Sequence, residues 1–362
     1  MRDRGAKVVV LTHVNYLEEA IKQEGFQLIP WHISSGSLNP FREFVAFLHV
    51  LRVYRRERPD LVHHVAIKPV VYGGLAARVC GNIPSVNAIA GLGHVFISQR
   101  RAMRLLRRLL LVLLRWSLNG KDTMAIFQTS DNRDIFIEAG IVRRGQTTVI
   151  RGSGVDPKEF SPQPEPDSVP VVILATRMLW EKGVGDFVDA ASKLRERGVS
   201  ARFVLVGDPD PGNPACIPRT QLLSWAASGV VEWWEHRNDM PVVFAQSNVV
   251  CFPSYYGEGV PKVLIEAAAC GRAIVTTDVP GCREVVRNGE NGLLVPARDR
   301  EALVNAIETL LKDPPLRARM GARGREIAVQ EFSEDLVVRQ TLAVYRELLG
   351  PRWPFVAAIV PF

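Results

Sequence analysis

The sequence predicts an α/β protein built as two domains with parallel sheets. Three observations carry this. Short apolar runs alternate with segments of helical period along the whole chain, which is the pattern of successive βα units. Four prolines fall within the ten residues 161–170, excluding both helix and interior strand there. After them the strand and helix alternation starts afresh.

In the first half, residues 7–11, 61–65, 85–89, 123–127 and 147–150 read as strands because each is a short run dominated by apolar and β-branched residues. Residues 15–24, 41–58, 70–80 and 100–118 read as helices on the spacing of their apolar positions. In the second half the strands are 171–174, 202–206, 230–233, 249–252, 273–276 and 292–295, and the helices are 183–197, 261–269, 298–312, 315–330 and 333–349. The chain therefore divides into a first domain over 1–160, a linker over 161–170 and a second domain over 171–332. A helix over 333–349 crosses back to the first domain, and 350–362 form an apolar tail. Two such domains joined by a hinge leave a cleft between two sheet edges, which suits two substrates.

A chain of 362 residues with 47% hydrophobic and 23% charged residues has enough apolar material for two cores and is not a disordered chain. The five cysteines are scattered and form no CxxC pair, so neither a disulfide framework nor a zinc site is expected and a reducing compartment is. No run reaches the roughly 20 apolar residues needed to cross a bilayer. The net charge of +7 is concentrated: Arg100, Arg101, Arg104, Arg107, Arg108, Arg115 and Lys121 occur with no acid between them. At helical spacing the arginines fall within an arc of about 120°, with Leu105, Leu106, Leu109, Leu110, Leu113 and Trp116 over most of the remainder. This basic amphipathic helix fits an anionic membrane surface, or equally a core helix with one solvated basic face. Nucleic acid is not expected, since no aromatic interleaving or recognised motif accompanies the basic residues.

The most informative stretch lies around Glu258 and Glu266. The first sits in a Gly/Pro turn at the carboxyl end of the 249–252 strand, where open α/β sheets bind ligands, and the second lies two turns into the following helix. At 1.5 Å of rise per residue the two carboxylates stand about 12 Å apart. That is roughly the span from sugar to ribose in a nucleotide-diphosphate sugar, with a helix N-terminus between them to receive phosphate.

The second half resembles the glycosyltransferase family 4 type of retaining, two-domain (GT-B) enzyme. The resemblance is carried by Gly152-Ser-Gly-Val-Asp156, Arg177 with Glu181-Lys182-Gly183, Val206-Gly207-Asp208, Glu258-Gly-Val-Pro261, Glu266-Ala-Ala-Ala-Cys-Gly271, Val279-Pro-Gly281 with Glu284, and Asn288-Gly-Glu-Asn-Gly292. It implies two Rossmann-like, doubly wound domains facing across a cleft. It implies that Arg177 and Lys182 hold the donor diphosphate, that Glu258 with Gly259, Val260 and Pro261 meets the donor sugar, that Glu266 takes the ribose hydroxyls, and that the loop of His236, Arg237 and Met240 receives the base. In the first half, residues 59–94 resemble the family's third strand and active-site loop, which implies acceptor contacts from Lys68, Gly91, Gly93 and His94. Glu258, Arg177, Lys182 and His94 are then the catalytic set. His94 stands four residues later than the family's loop histidine, whose place is taken by Ala90.

Retention lets the leaving phosphate take the acceptor proton, so no catalytic dyad is needed. The resemblance further implies no metal, Asp208-Pro-Asp210 being a turn in place of a metal-binding motif. The donor is expected to be a UDP-sugar, the transferred sugar an N-acetylhexosamine, and the acceptor polyprenyl-diphosphate-linked or another surface glycan, met at the cytoplasmic membrane face. In the family an N-terminal strand precedes the helix that ends near Arg2-Asp-Arg-Gly5, so the first sheet here is expected to lack a central strand. Two other outcomes stay open from sequence: a nucleotide-sugar-binding pseudoenzyme, and a GT-B sugar-nucleotide epimerase.

Overall fold

The computed structural model describes residues 6–13, 18–33, 39–91, 101–255, 257 and 259–353, without the side chains of 101–107 and Arg352. The first domain contains β1 (Val9–Thr12), α1 (Glu18–Gln23), β2 (Gln27–Pro30), α2 (Pro40–Glu57), β3 (Val62–Val65), α3 (Ile67–Val79), β4 (Ser85–Ile89), α4 (Arg101–Leu118), β5 (Thr123–Phe127), α5 (Ser130–Glu138) and β6 (Thr147–Val149). The second contains β7 (Val171–Ala175), α6 (Val184–Glu196), β8 (Arg202–Val206), α7 (Arg219–Ala227), β9 (Glu232–Trp233), α8 (Met240–Ala245), β10 (Val249–Phe252), α9 (Lys262–Ala269), β11 (Ala273–Thr277), α10 (Pro280–Val285), β12 (Gly292–Val295), α11 (Arg300–Lys312) and α12 (Pro314–Glu331). A last helix, α13 (Glu334–Leu349), packs against β4 and β5 of the first domain.

All strand pairs are parallel, and the second sheet runs β12-β11-β10-β7-β8-β9. Its strands β7, β10 and β11 are buried on both faces, as uninterrupted apolar runs such as Val171–Ala175 and Val249–Phe252 require. Two apolar layers result, one under α6 and α11, the other under α9 and α12. The chain leaves β7 in one direction and returns at β10 to build in the other, so β7 and β10 flank the switch point.

The first domain is divided. Strands β3 to β6 form one sheet, while β1 pairs only with β2. Between β1 and β3 lies a cavity of about 1080 Å³ lined by Val10, Trp31, Val62, His64, Tyr345 and Trp353 among others. Among the described residues no strand stands there.

The 161–170 segment carries neither helix nor strand, and within it Glu165 is held by Arg317 at 2.8 Å and by the Asn248 amide at 2.8 Å, because Arg317 is buried and needs a counter-charge. Two expectations need correction. The strand expected at 230–233 shrinks to Glu232–Trp233 at the sheet edge, where only β8 offers partners. On α4, Leu109 and Trp116 do not face the core: the helix packs on α3 through Leu114, Ser117 and Leu118, leaving Arg108, Leu109, Val112, Arg115 and Trp116 exposed.

Candidate active site

At the carboxyl ends of β7 and β10, two glycines allow the backbone approaches that shape the site. Gly183 has φ of +75°, and a Cβ there would stand 2.2 Å from the Pro253 carbonyl oxygen. Its absence lets the single turn Trp180–Lys182 sit against the end of β10, which brings the Lys182 ammonium within 5.6 Å of the Phe252 ring centre. Gly207 leaves β8 at φ of +133°, where a Cβ would strike the Thr176 carbonyl oxygen.

Helix α9 begins after Pro261, which provides no side-chain cap. The Leu264 amide turns back to the Pro261 carbonyl at 3.1 Å, and the Val260 amide donates to the Gln128 side chain at 2.9 Å. The first-turn amides of Lys262 and Val263 thus form the N-terminal face of the helix, at its positive dipole end. A cavity of about 370 Å³ joins this face to the first domain, lined by Ala90 and Gln128 on one side and by Lys182, Gly259, Val260 and Val263 on the other.

The predicted donor residues divide into two groups. Lys182, Gly259, Val260 and Pro261 line that cavity together. Arg177, Glu266, His236, Arg237 and Met240 do not. Arg177 is exposed and ion-paired with Asp210 at 2.7 Å. Glu266 lies buried one turn along α9 with the Lys262 ammonium 3.5 Å away. Burial pushes its carboxyl pKa up, Lys262 opposes this, and Glu159 adds to it.

The expected base loop turns through Glu235 at φ of +54°, whose carbonyl accepts the Gly207 amide at 2.7 Å. There His236 Nε2 lies 2.9 Å from the Asn238 side-chain oxygen, and Arg237 is forked onto Asp239. These side chains are engaged within their own loop. Met240 opens α8 and packs on the second-domain core.

On the acceptor side Lys68 forms an ion pair with Glu43 at 3.0 Å, and the Tyr72 hydroxyl donates to the same carboxylate. Gly91 directly follows Ala90 at the end of the β4 segment. Glu258, Gly93 and His94 lie outside the described residues.

Sequence reasoning noted Ala90 as the position of the family's loop histidine but missed Gln128 and Thr176, each directly beyond a strand's carboxyl end. The rule that open α/β sheets bind ligands at that edge was the available signal. It also missed a second contact between the domains: Arg283 in the last turn of α10 reaches Asp131 of α5 at 3.3 Å.

Residues 1–129 match the family model described as glycosyl transferase 4-like, and residues 155–327 match glycosyl transferases group 1. The chain is a GT-B glycosyltransferase of the family 4 type. Over 363 aligned residues this glycosyltransferase is 29% identical to the N,N'-diacetylbacillosaminyl-diphospho-undecaprenol alpha-1,3-N-acetylgalactosaminyltransferase of Campylobacter jejuni, covering 96% of this chain and 93% of that protein. It is 28% identical over 182 residues to the alpha-D-kanosaminyltransferase of Streptomyces kanamyceticus, covering 50% of this chain and 47% of that one.

Among solved structures, the sucrose-phosphate synthase of Thermosynechococcus elongatus superposes with a TM-score of 0.79 at 22% identity, covering 97% of this chain and 91% of that one. WaaG, a glycosyltransferase involved in lipopolysaccharide biosynthesis, superposes with a TM-score of 0.74 at 19% identity, covering 95% and 92%. At these identities the likeness carries the GT-B fold and nothing further.

Proposed function

We propose that this glycosyltransferase moves an N-acetylhexosamine from a UDP-sugar to a polyprenyl-diphosphate-linked or other surface-glycan acceptor, with retention of configuration. The observation that carries the acceptor class is the alignment along 96% of the chain with the Campylobacter jejuni enzyme, whose name gives a diphospho-undecaprenol acceptor and an N-acetylgalactosamine transfer. The cavity between Ala90 and Gln128 on one side and Lys182 with the N-terminus of α9 on the other supports transfer across the cleft.

In this reading the donor diphosphate lies against Lys182 and the Lys262 and Val263 amides, with Arg177 swinging from Asp210 to join them. These groups meet the negative charge that develops on the departing phosphate, and a fixed positive array is most effective in a site shielded from water. The acceptor oxygen bonds to the anomeric carbon as the bond from that carbon to phosphate breaks, and the acceptor proton passes to the departing phosphate oxygen. Glu258 meets the sugar, Glu266 the ribose, and the backbone of 236–240 the base. The positive groups named serve the diphosphate without a metal, Asp210 being committed to Arg177 in the resting protein.

The exposed face of α4, with Arg108 and Arg115 among Leu109, Val112 and Trp116, supports docking on an anionic membrane surface near the lipid-linked acceptor. Among the described residues no helix is long and apolar enough to cross a membrane.

Calorimetric titration with UDP and then GDP, with and without EDTA, tests the donor half. Turnover of a UDP-N-acetylhexosamine with an undecaprenyl-diphosphate-linked sugar tests the acceptor half. A second reading, nucleotide-sugar binding without turnover, has the divided first sheet in its favour. Micromolar UDP binding with no transfer to any lipid-linked or glycan acceptor would establish it.

A further inference from the structure

The Val260 amide, one residue ahead of the proline that precedes α9, donates its hydrogen bond to the other domain. Gln128 Oε1, immediately beyond the end of β5, accepts it at 2.9 Å. The approach depends on glycine: a Cβ on Gly259 would lie 1.8 Å from the Ala90 carbonyl oxygen and 2.0 Å from Gln128 Oε1. One further link joins the same first-domain segment to α10: Arg283 reaches Asp131 at 3.3 Å. Of the two, only the Gln128 bond reaches the loop that runs directly into the donor helix.

We propose that Gln128 is a positioning residue that latches the 259–261 turn to the first domain, so that the donor-side helix and the acceptor-side strand edge close in fixed register. This rests on the transfer reaction proposed above but concerns domain closure, which can be read without an acceptor.

Three features argue for a latch in place of a packing contact. The bond joins groups 132 residues apart in sequence and on opposite sides of the cleft. The amide it holds lies between Gly259 and Pro261, in a loop with no side-chain cap of its own. The acceptor is a neutral amide oxygen in a cavity that also holds Lys182, so it holds the Val260 amide without placing a second negative charge beside a diphosphate. A carboxylate at the same place would keep the bond and oppose the donor.

The test uses Gln128→Ala and Gln128→Glu in the full chain. Gln128→Ala is expected to bind UDP within about threefold of the parent, to lower kcat about tenfold with little change in donor KM, and to shift the UDP-bound protein to a larger radius of gyration in solution scattering. Gln128→Glu is expected to keep the compact UDP-bound form while binding UDP about tenfold more weakly.

Unchanged kcat and unchanged scattering in Gln128→Ala would overturn the proposal. So would a fall in UDP affinity of Gln128→Ala as large as its fall in kcat/KM, since Gln128 would then only support the donor pocket. If the parent transfers sugar to no acceptor, the transfer reading fails while scattering of the UDP complexes still decides the latch.

Discussion

The guanidinium of Arg177 lies 2.7 Å from a carboxylate oxygen of Asp210, an ion pair between the loops that leave the adjacent strands β7 and β8. Such an exposed pair contributes ~0–1 kcal/mol, whereas a forked guanidinium on phosphate is a stronger, charge-assisted contact. In the proposed reading a bound diphosphate is therefore expected to displace Asp210. Asp210→Asn is expected to raise UDP affinity about two- to fivefold at low salt, with the gain shrinking as salt rises. Arg177→Ala is expected to lower it about ten- to a hundredfold. Calorimetric titrations at two ionic strengths check both, and unchanged affinity in both variants would remove Arg177 from the donor site.

In the proposed reading Glu266 combines a binding role with a cost to the fold. Burial raises its carboxyl pKa above that of the unfolded chain, so in the window just above the ordinary carboxylate value the folded protein holds a proton that the unfolded chain has lost. Stability falls as pH rises through that window, and the ionised form is a net liability at neutral pH, lessened by Lys262. Glu266→Gln should melt as high as the parent or higher at pH 7, lose that advantage near pH 4, and bind UDP about ten- to a hundredfold more weakly because a charged acceptor for ribose is gone. A variant that melts lower at pH 7 and binds UDP normally would contradict both halves.

What the sequence disclosed, and what it did not, follows from how far apart the interacting residues lie. Lys182 and the Gly259-Val-Pro261 turn could be placed in the cleft because strand, turn and helix occur in sequence order and the local motif fixes their geometry. Gln128 could not be. It is a single polar residue after an apolar strand, and its partner lies 132 residues on. The alternation of apolar runs gave the second sheet almost in full, but its edge strand β9 is only two residues long and was read too generously. Helix α4 was legible as basic and amphipathic. Which stripe faces inward was decided by its packing on α3, and that left Trp116 in solvent.

A buried triad beneath the first sheet makes stability depend on pH. The His64 ring meets the Tyr54 hydroxyl through Nε2 and the Asn87 side-chain oxygen through Nδ1, both at 2.7 Å. Burial holds its pKa down to about 4, with His63 pushing the same way and Asn87 opposing. The unfolded chain takes up this proton near the ordinary histidine value of 6.5, the folded protein only near 4. The stabilisation is thus complete above pH 6.5 and is lost as pH falls toward 4, by up to about 3 kcal/mol. Melting curves from pH 7.5 to 4.5 should show this slope in the parent and a flatter one in His64→Gln, whatever that variant's absolute stability. Gly73→Ala belongs to the same prediction: its Cβ would fall 2.2 Å from His64 Nε2, so it should destabilise by about 1–3 kcal/mol at pH 7.

The divided first sheet predicts an uneven pattern of amide exchange. The Val62 amide donates to Pro84 and the Ala66 amide to Ala88, both toward β4. Alternate residues of a parallel strand point their N–H groups to opposite sides, so His63 and Val65 direct theirs toward the cavity between β3 and β1. A two-stranded sheet such as β1 with β2 is marginal on its own. In the second domain, by contrast, β7 and β10 are paired on both sides. Exchange at His63 and Val65 should run about a hundredfold or more faster than at Val62 and Ala66, and β1 should exchange before any of β7 or β10. Calorimetry should show the first domain melting ahead of the second. Equal protection at His63 and Val62 would mean that a partner strand occupies the cavity in solution, and the two domains would then be expected to melt together.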